Sequence, residues 1–192
     1  MDRKGFLTTV VGGCACTAVS GMRAALGAEP GDATIERAAK RMEFADEWLK
    51  RFFAAVDQTL EEPTRRRLME ANGRSCFIAY AGPPRREPKT LEQFKAWVAE
   101  SGKERGYSID GDAIAFEYVG SAETGGASPE RVCLCPMVEA QTPGSISPTY
   151  CHCSVGYVRE MHERIFGKPV AVELVDSVLR GGKRCRFRIT MA

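Results

Sequence analysis

Five residues between Arg131 and Cys153 carry most of the chemistry that this chain could perform. Cys133 and Cys135 form one Cys-x-Cys pair, Cys151 and Cys153 form a second, and His152 lies inside the second. A Pro/Gly/Ser-rich connection of fifteen residues, 136–150, separates the pairs. Thiolates are soft metal ligands and strong nucleophiles, so the stretch points to a metal or thiol site. Residues two apart on a strand share a face, so Cys133 and Cys135 can converge on one target. Their separation is near the outer limit of disulfide reach, which favours a shared metal or partners elsewhere.

The second pair depends on where its helix begins. Two positions on a helix differ by about 200° around the axis, which would send Cys151 and Cys153 to opposite sides. If the helix starts after Cys153 with Ser154 as its cap, both thiols can serve one site. If it starts at Pro148 with Ser147 as its cap, only Cys151 faces inward, with Val155 and Val158. In both cases a thiol lies near a helix N-terminus, where the dipole favours thiolate.

Three readings follow. Cys133, Cys135, Cys151 and Cys153 meet the four-thiolate count of a zinc or iron–sulfur site, with zinc the first choice and copper(I) also suited to soft donors. A disulfide framework would instead join the strand thiols to the helix-end thiols. A catalytic site would use Cys151 as nucleophile with His152 as its activating partner. Cys76, Cys185 and His162 have simpler readings as core residues. Cys185 shares the buried face of the last strand with Phe187 and Ile189, opposite Arg184, Arg186 and Arg188.

The elements that must hold these residues can be read from periodicity. Asp32 caps a long helix over 33–60, with Ile35, Met42, Leu49, Phe53 and Val56 at helical spacing. A second helix is predicted from Pro63 to an Asn72-Gly73 stop. Thr90 caps a third over 91–99. The period then falls to two, predicting strands over 107–109 and 113–119 around an Asp110-Gly111-Asp112 turn, and another over 131–135. A helix ending at Gly167 follows, and then a closing hairpin of Val170–Val178 and Arg184–Thr190. The whole predicts an α+β fold: N-terminal helices packed on an antiparallel sheet, with one helix inserted before a C-terminal β-hairpin.

The first 28 residues read as an address. Arg3-Lys4-Gly5-Phe6-Leu7 resembles a twin-arginine export motif with lysine in the second basic position, and 25–28 offers a cleavage site. The expected organisation is therefore an export signal peptide over 1–28 and a single α+β domain over 29–192, placed in a bacterial periplasm. A second reading makes Cys14 a lipidation site. Removing 1–28 takes away Arg3, Lys4, Arg23 and Asp2, so the net charge falls from +2 to zero. Six cysteines remain, at 76, 133, 135, 151, 153 and 185. That balance, with basic and acidic residues interleaved, argues against nucleic acid as a partner. No run reaches the ~20 apolar residues of a membrane span. The expected partner is a small-molecule ligand or substrate.

From Cys133 onward the chain resembles two related families. These are the L-2-amino-thiazoline-4-carboxylic acid hydrolase-like group and the 4-vinyl reductase-like small-molecule-binding domain. The resemblance is carried by Cys151 at a helix start, Phe166-Gly167, the strand Val170-Ala171-Val172-Glu173, and the run from Gly181 to Ile189. It covers roughly sixty residues. It implies an α+β domain with a cysteine-containing pocket for metal or small ligands, in which Cys151 and Cys185 match family cysteines. The function that follows is an exported, enzyme-like domain hydrolysing a C–N or C–S bond. The alternatives are a non-catalytic metal-binding or ligand-sensing module, or a disulfide-stabilised binding domain.

Overall fold

The computed structural model describes residues 32–84, 86–119, 133 and 146–192. The chain divides into two units, 1–45 and 46–192. In the first, the described residues are the opening turns of helix α1 (Asp32–Thr59), where Lys40 pairs with Glu36 one turn earlier at 2.6 Å.

The second unit holds the rest. Helix α2 (Glu62–Ala81) follows, with Pro63 in its first turn, and α3 (Leu91–Trp97) opens on a Thr90/Gln93 capping box. A π-helical turn, Val98–Gly102, and a 3-10 turn, Lys103–Arg105, lead into β1 (Tyr107–Asp110) and β2 (Ala113–Glu117). A 3-10 turn, Pro148–Cys151, then runs into α4 (His152–Phe166). Strands β3 (Val170–Asp176) and β4 (Arg186–Met191) close the fold, joined through a short 3-10 turn at Val178–Arg180. The sheet order is β1-β2-β4-β3 and every pair is antiparallel. This is the expected α+β architecture, with α4 inserted before the closing hairpin. No described helix is long and apolar enough to cross a membrane.

Alternation decides which face of the sheet is covered. Val170, Val172 and Leu174 are buried while Ala171, Glu173 and Val175 are exposed, and Phe187 and Ile189 are buried between Arg186 and Arg188. The register sets Ile189 between Ile114 and Val172, and Phe187 between Phe116 and Leu174. These side chains form one core with Val155, Val158 and Phe166 of α4. A sheet with one packed and one open face needs this pattern.

The expected helix stop at Asn72-Gly73 is not a stop. The helix continues to Ala81 and ends at Gly82, whose φ of 64° is left-handed. Gly73 is instead a contact point between helices. A β-carbon there would collide with the Cys153 carbonyl of α4, and one on Gly156 would collide with the Glu70 carbonyl of α2. Ion pairs flank the approach: Arg159 to Glu70 at 2.7 Å and Arg74 to Glu160 at 2.8 Å.

Other differences are smaller. The third helix gives way to the π turn at Val98, two residues before the expected end. Strand β2 ends at Glu117 rather than at 119. The hairpin strands are shorter than expected because Ser177 and Cys185 belong to the connection, with a register shift at Leu174/Asp176. The expected strand over 131–135 and the export signal lie outside the described residues, apart from Cys133.

Candidate functional site

Ser147 opens the segment that carries Cys151. Its hydroxyl accepts from the Thr149 amide at 3.1 Å, and Pro148 starts the 3-10 turn. The Thr149 hydroxyl donates to Asp57 at 2.7 Å, and Arg65 stands 3.3 Å from the same carboxylate oxygen. Burial opposes ionisation of Asp57, but the hydrogen bonds from Ser147 and Thr149, helped by Arg65, hold its carboxyl below the ordinary range. The turn is thereby tied to the end of α1. Of the two expected helix starts, the earlier one is found: the turn begins at Pro148 with Ser147 as cap.

The inward and outward thiols follow from that start. Cys151 is 7% exposed and its thiol donates to the hydroxyl of fully buried Ser177 at 3.4 Å. Cys153 is half-buried and accepts from the Asn72 amide of α2 at 3.5 Å. The two thiols of the second pair therefore meet different surroundings.

Cys151 meets cysteines from two other segments. Cys133 and Cys185, both half-buried, pack against the same core and lie within electrostatic reach of its sulfur. Cys185 is held where its carbonyl accepts from the Tyr118 amide at 3.2 Å. Cys135 lies outside the described residues. Among the described residues, no group of three His, Cys, Asp or Glu side chains is arranged to hold a metal ion.

The ionisation of Cys151 runs against the helix-dipole expectation. Burial pushes its thiol up to about 11, the Cys185 and Cys133 thiols push the same way, and the Ser177 hydrogen bond and Arg180 only partly offset this. Enclosure in the core outweighs the pull of a helix end. The apo protein holds Cys151 as a thiol at neutral pH. His152 is half-buried, and burial, with the Arg66 and Arg180 guanidiniums nearby, pushes its imidazole below the ordinary value. Its Nδ1 is enclosed without a hydrogen-bond partner. A neutral imidazole beside a protonated thiol is not an ion pair of the Cys–His type.

Two features of this region escape a sequence reading. Ser177 appears as an ordinary polar break in Leu174-Val175-Asp176-Ser177-Val178-Leu179, yet it is the hydrogen-bond partner of Cys151. His162 is the core residue expected of its helix position, but its polar contacts are not legible there. It is fully buried, its Nδ1–H donates to the Val158 carbonyl at 2.8 Å, and among the described residues its Nε2 has no partner. The rings of Phe94, Tyr107, Phe116 and Phe166 surround it with centroids 5.8–6.3 Å away.

Residues 129–192 match a protein family described as a family of unknown function (DUF6144). No curated protein matches the chain. Among solved structures, the chain is similar to a trafficking protein particle complex subunit 3 from Naegleria fowleri covalently bound to palmitic acid. That likeness has 12% identity and a TM-score of 0.43, over 81% of this chain and 96% of that one. A vinyl-4-reductase family protein from Methanocaldococcus jannaschii is similar with 16% identity and a TM-score of 0.31, over 79% of this chain and 81% of that one.

Proposed function

We propose that this chain is a thiol-based metal-binding domain that serves a small-molecule ligand, with Cys151 among its donors. The observation that supports the reading is that Cys133 and Cys185, from separate segments, pack against the core that encloses Cys151 and push its thiol up. Cys135, which follows Cys133 by two residues, is proposed as the fourth thiolate. We place Cys185, rather than Cys153, in the set, because Cys185 and Cys133 are the thiols that push the Cys151 thiol up. Zinc is the first choice, with copper(I) or an iron–sulfur centre also suited to such donors. A bound metal would supply Lewis acidity and take the place of the thiol protons that burial otherwise retains.

The module reading stands ahead of a C–N or C–S hydrolase that uses Cys151 as a nucleophile assisted by His152. Such an enzyme needs a thiolate at working pH, and a buried thiol near 11 opposes one. Residues 1–28 are proposed as a twin-arginine-type signal, which fits a domain that takes up its metal before export to the periplasm.

The test is the metal content of the purified full chain. About one equivalent of zinc, lost in Cys151→Ser and Cys185→Ser and kept in Cys153→Ser, is the expected result. A folded, metal-free protein whose cysteines all titrate as thiols after loading with zinc would overturn it. N-terminal sequencing of the secreted product tests the signal, with a new terminus near residue 29 expected.

A further inference from the structure

Helix α1 carries an apolar stripe that is open over most of its length. Ile35, Ala38, Met42, Ala45, Leu49 and Phe52 follow one another at alternating steps of three and four residues. In a heptad written abcdefg they fill every a and d position from Ile35 to Phe52. Val56 takes the next a position, but Val56 and Phe53 are buried and Leu49 packs against the core. Before Leu49 the stripe has no such cover: residues 33–45 are all exposed, Met42 by 74%. Trp48, at the flanking g position, stacks on Phe52 at 5.2 Å, and both rings are exposed. A helix without tertiary cover is marginal in water, so this stripe calls for a partner.

The placing of charge says which partner. Between Ile35 and Phe52 all but two of the charged residues fall at b, c and f, the positions turned away from a paired helix. The exceptions are Arg41 at g and Asp46 at e. In a parallel pair of helices g faces the e position of the partner five residues on, so Arg41 of each copy meets Asp46 of the other. Arg41 has no carboxylate one turn away in its own helix, where Arg37, Ala38, Phe44 and Ala45 stand, and among the described residues no ion pair reaches it. Lys50 alone serves both Asp46 at 2.7 Å and Glu47 at 2.8 Å, which leaves a negative excess for Arg41 to meet. A bilayer fits less well, because α1 holds six acidic and five basic residues and is not drawn to an anionic surface.

We propose that α1 joins two copies of this chain as a parallel two-stranded coil along Ile35–Phe52, with Arg41 of each copy paired to Asp46 of the other. The interface is separate from the cysteine cluster and does not depend on a metal there.

Sedimentation of the full chain over a range of concentrations is expected to give the mass of two copies. Met42→Asp, on the seam, should leave a single copy, whereas Phe44→Asp, at an outward c position of the same helix, should keep two. Both residues are exposed, so neither substitution disturbs the core of the chain. Arg41→Glu sets like charges opposite each other in both pairs and should weaken the dimer about tenfold. A parallel coil brings position 42 of both copies to one level, so Met42→Cys should cross-link on mild oxidation beyond anything the parent chain shows. A single copy at every concentration, two copies in Met42→Asp, or unchanged affinity in Arg41→Glu would each overturn the proposal. A dimer whose Met42→Cys form does not cross-link is not parallel and overturns it as well. A single copy that sediments with anionic vesicles would assign the stripe to a bilayer instead.

Discussion

Gly73 of α2 and Gly156 of α4 lie at one helix crossing, and each has the other helix's backbone where a β-carbon would be. The obstructing atoms are main-chain carbonyls, which cannot swing aside as a flexible side chain would. On an exposed helix, Gly→Ala stabilises by about 1 kcal/mol. Here the sign reverses. Gly73→Ala or Gly156→Ala is expected to destabilise by about 2–3 kcal/mol through overpacking, read as a lower urea midpoint. An unchanged or higher midpoint would show that the helices can separate without cost.

His162 makes stability depend on pH. Its imidazole is pushed down to about 4 by burial, from an ordinary value of 6.5. A depressed folded value means that the unfolded chain binds the proton more readily, so stability is full above about 6.5 and falls as pH drops towards 4. Over that window the loss from this residue approaches about 3 kcal/mol. Urea midpoints at pH 7.5, 5.5 and 4.5 should fall in that order, and His162→Phe should flatten the trend. An equal slope in the variant would assign the pH response to other groups.

Cys151 should be slow to alkylate. In the chelator-treated protein at pH 7, iodoacetamide is expected to modify it at least a hundredfold more slowly than a solvent-exposed thiol, given its high value and near-complete enclosure. Peptide mapping by mass spectrometry follows each cysteine separately. Rapid, selective labelling of Cys151 would restore the nucleophile reading of this residue.

Glu160 is buried between two arginines. Its Oε1 accepts from Arg164 Nε at 2.9 Å, while Arg74 stands 2.8 Å from Oε2 as an ion contact without hydrogen-bond alignment. Arg164 also donates to the Gly82 carbonyl at the end of α2 and lies over the Phe77 ring at 5.0 Å. Arg164→Ala is expected to cost about 2–3 kcal/mol, because it removes the charged hydrogen bond to a buried carboxylate and leaves it the Arg74 ion contact. The double variant Arg164→Met/Glu160→Leu should recover much of that loss in thermal melts. Equal losses in both would place the effect in packing around Phe77.

The parts of the fold that were legible in the sequence are those governed by period. Val170/Val172/Leu174 and Phe187/Ile189 announce one covered face, and the Thr90/Gln93 box announces the start of α3. The second helix reads as ending early because Asn-Gly is both a good cap and a good contact point, whereas it runs on to Ala81. Only Gly156, eighty-three residues later in the sequence, separates the two meanings. The start of α4 was open for a similar reason, since the tie between Thr149 and Asp57 links distant segments. Within the candidate site, the inward turn of Cys151 follows from the Pro148 start, whereas Cys185, expected on the buried face of the last strand, lies half-buried in the connection before β4. Ser177 as a partner, and the rise in the Cys151 thiol, depend on how deeply the neighbours enclose the sulfur. Spacing along a chain carries no measure of enclosure.

The sheet order has a kinetic meaning. β1, β2 and β3 are all synthesised before β4, yet β4 lies between β2 and β3 and, among the described residues, supplies the pairing that joins β3 to the other two. Until Arg186–Met191 has emerged from the ribosome, the nascent chain holds a β1–β2 hairpin and a solitary β3 with an apolar face uncovered. Folding of this domain is therefore a late closure around one central strand, set by pairings between residues far apart in the sequence.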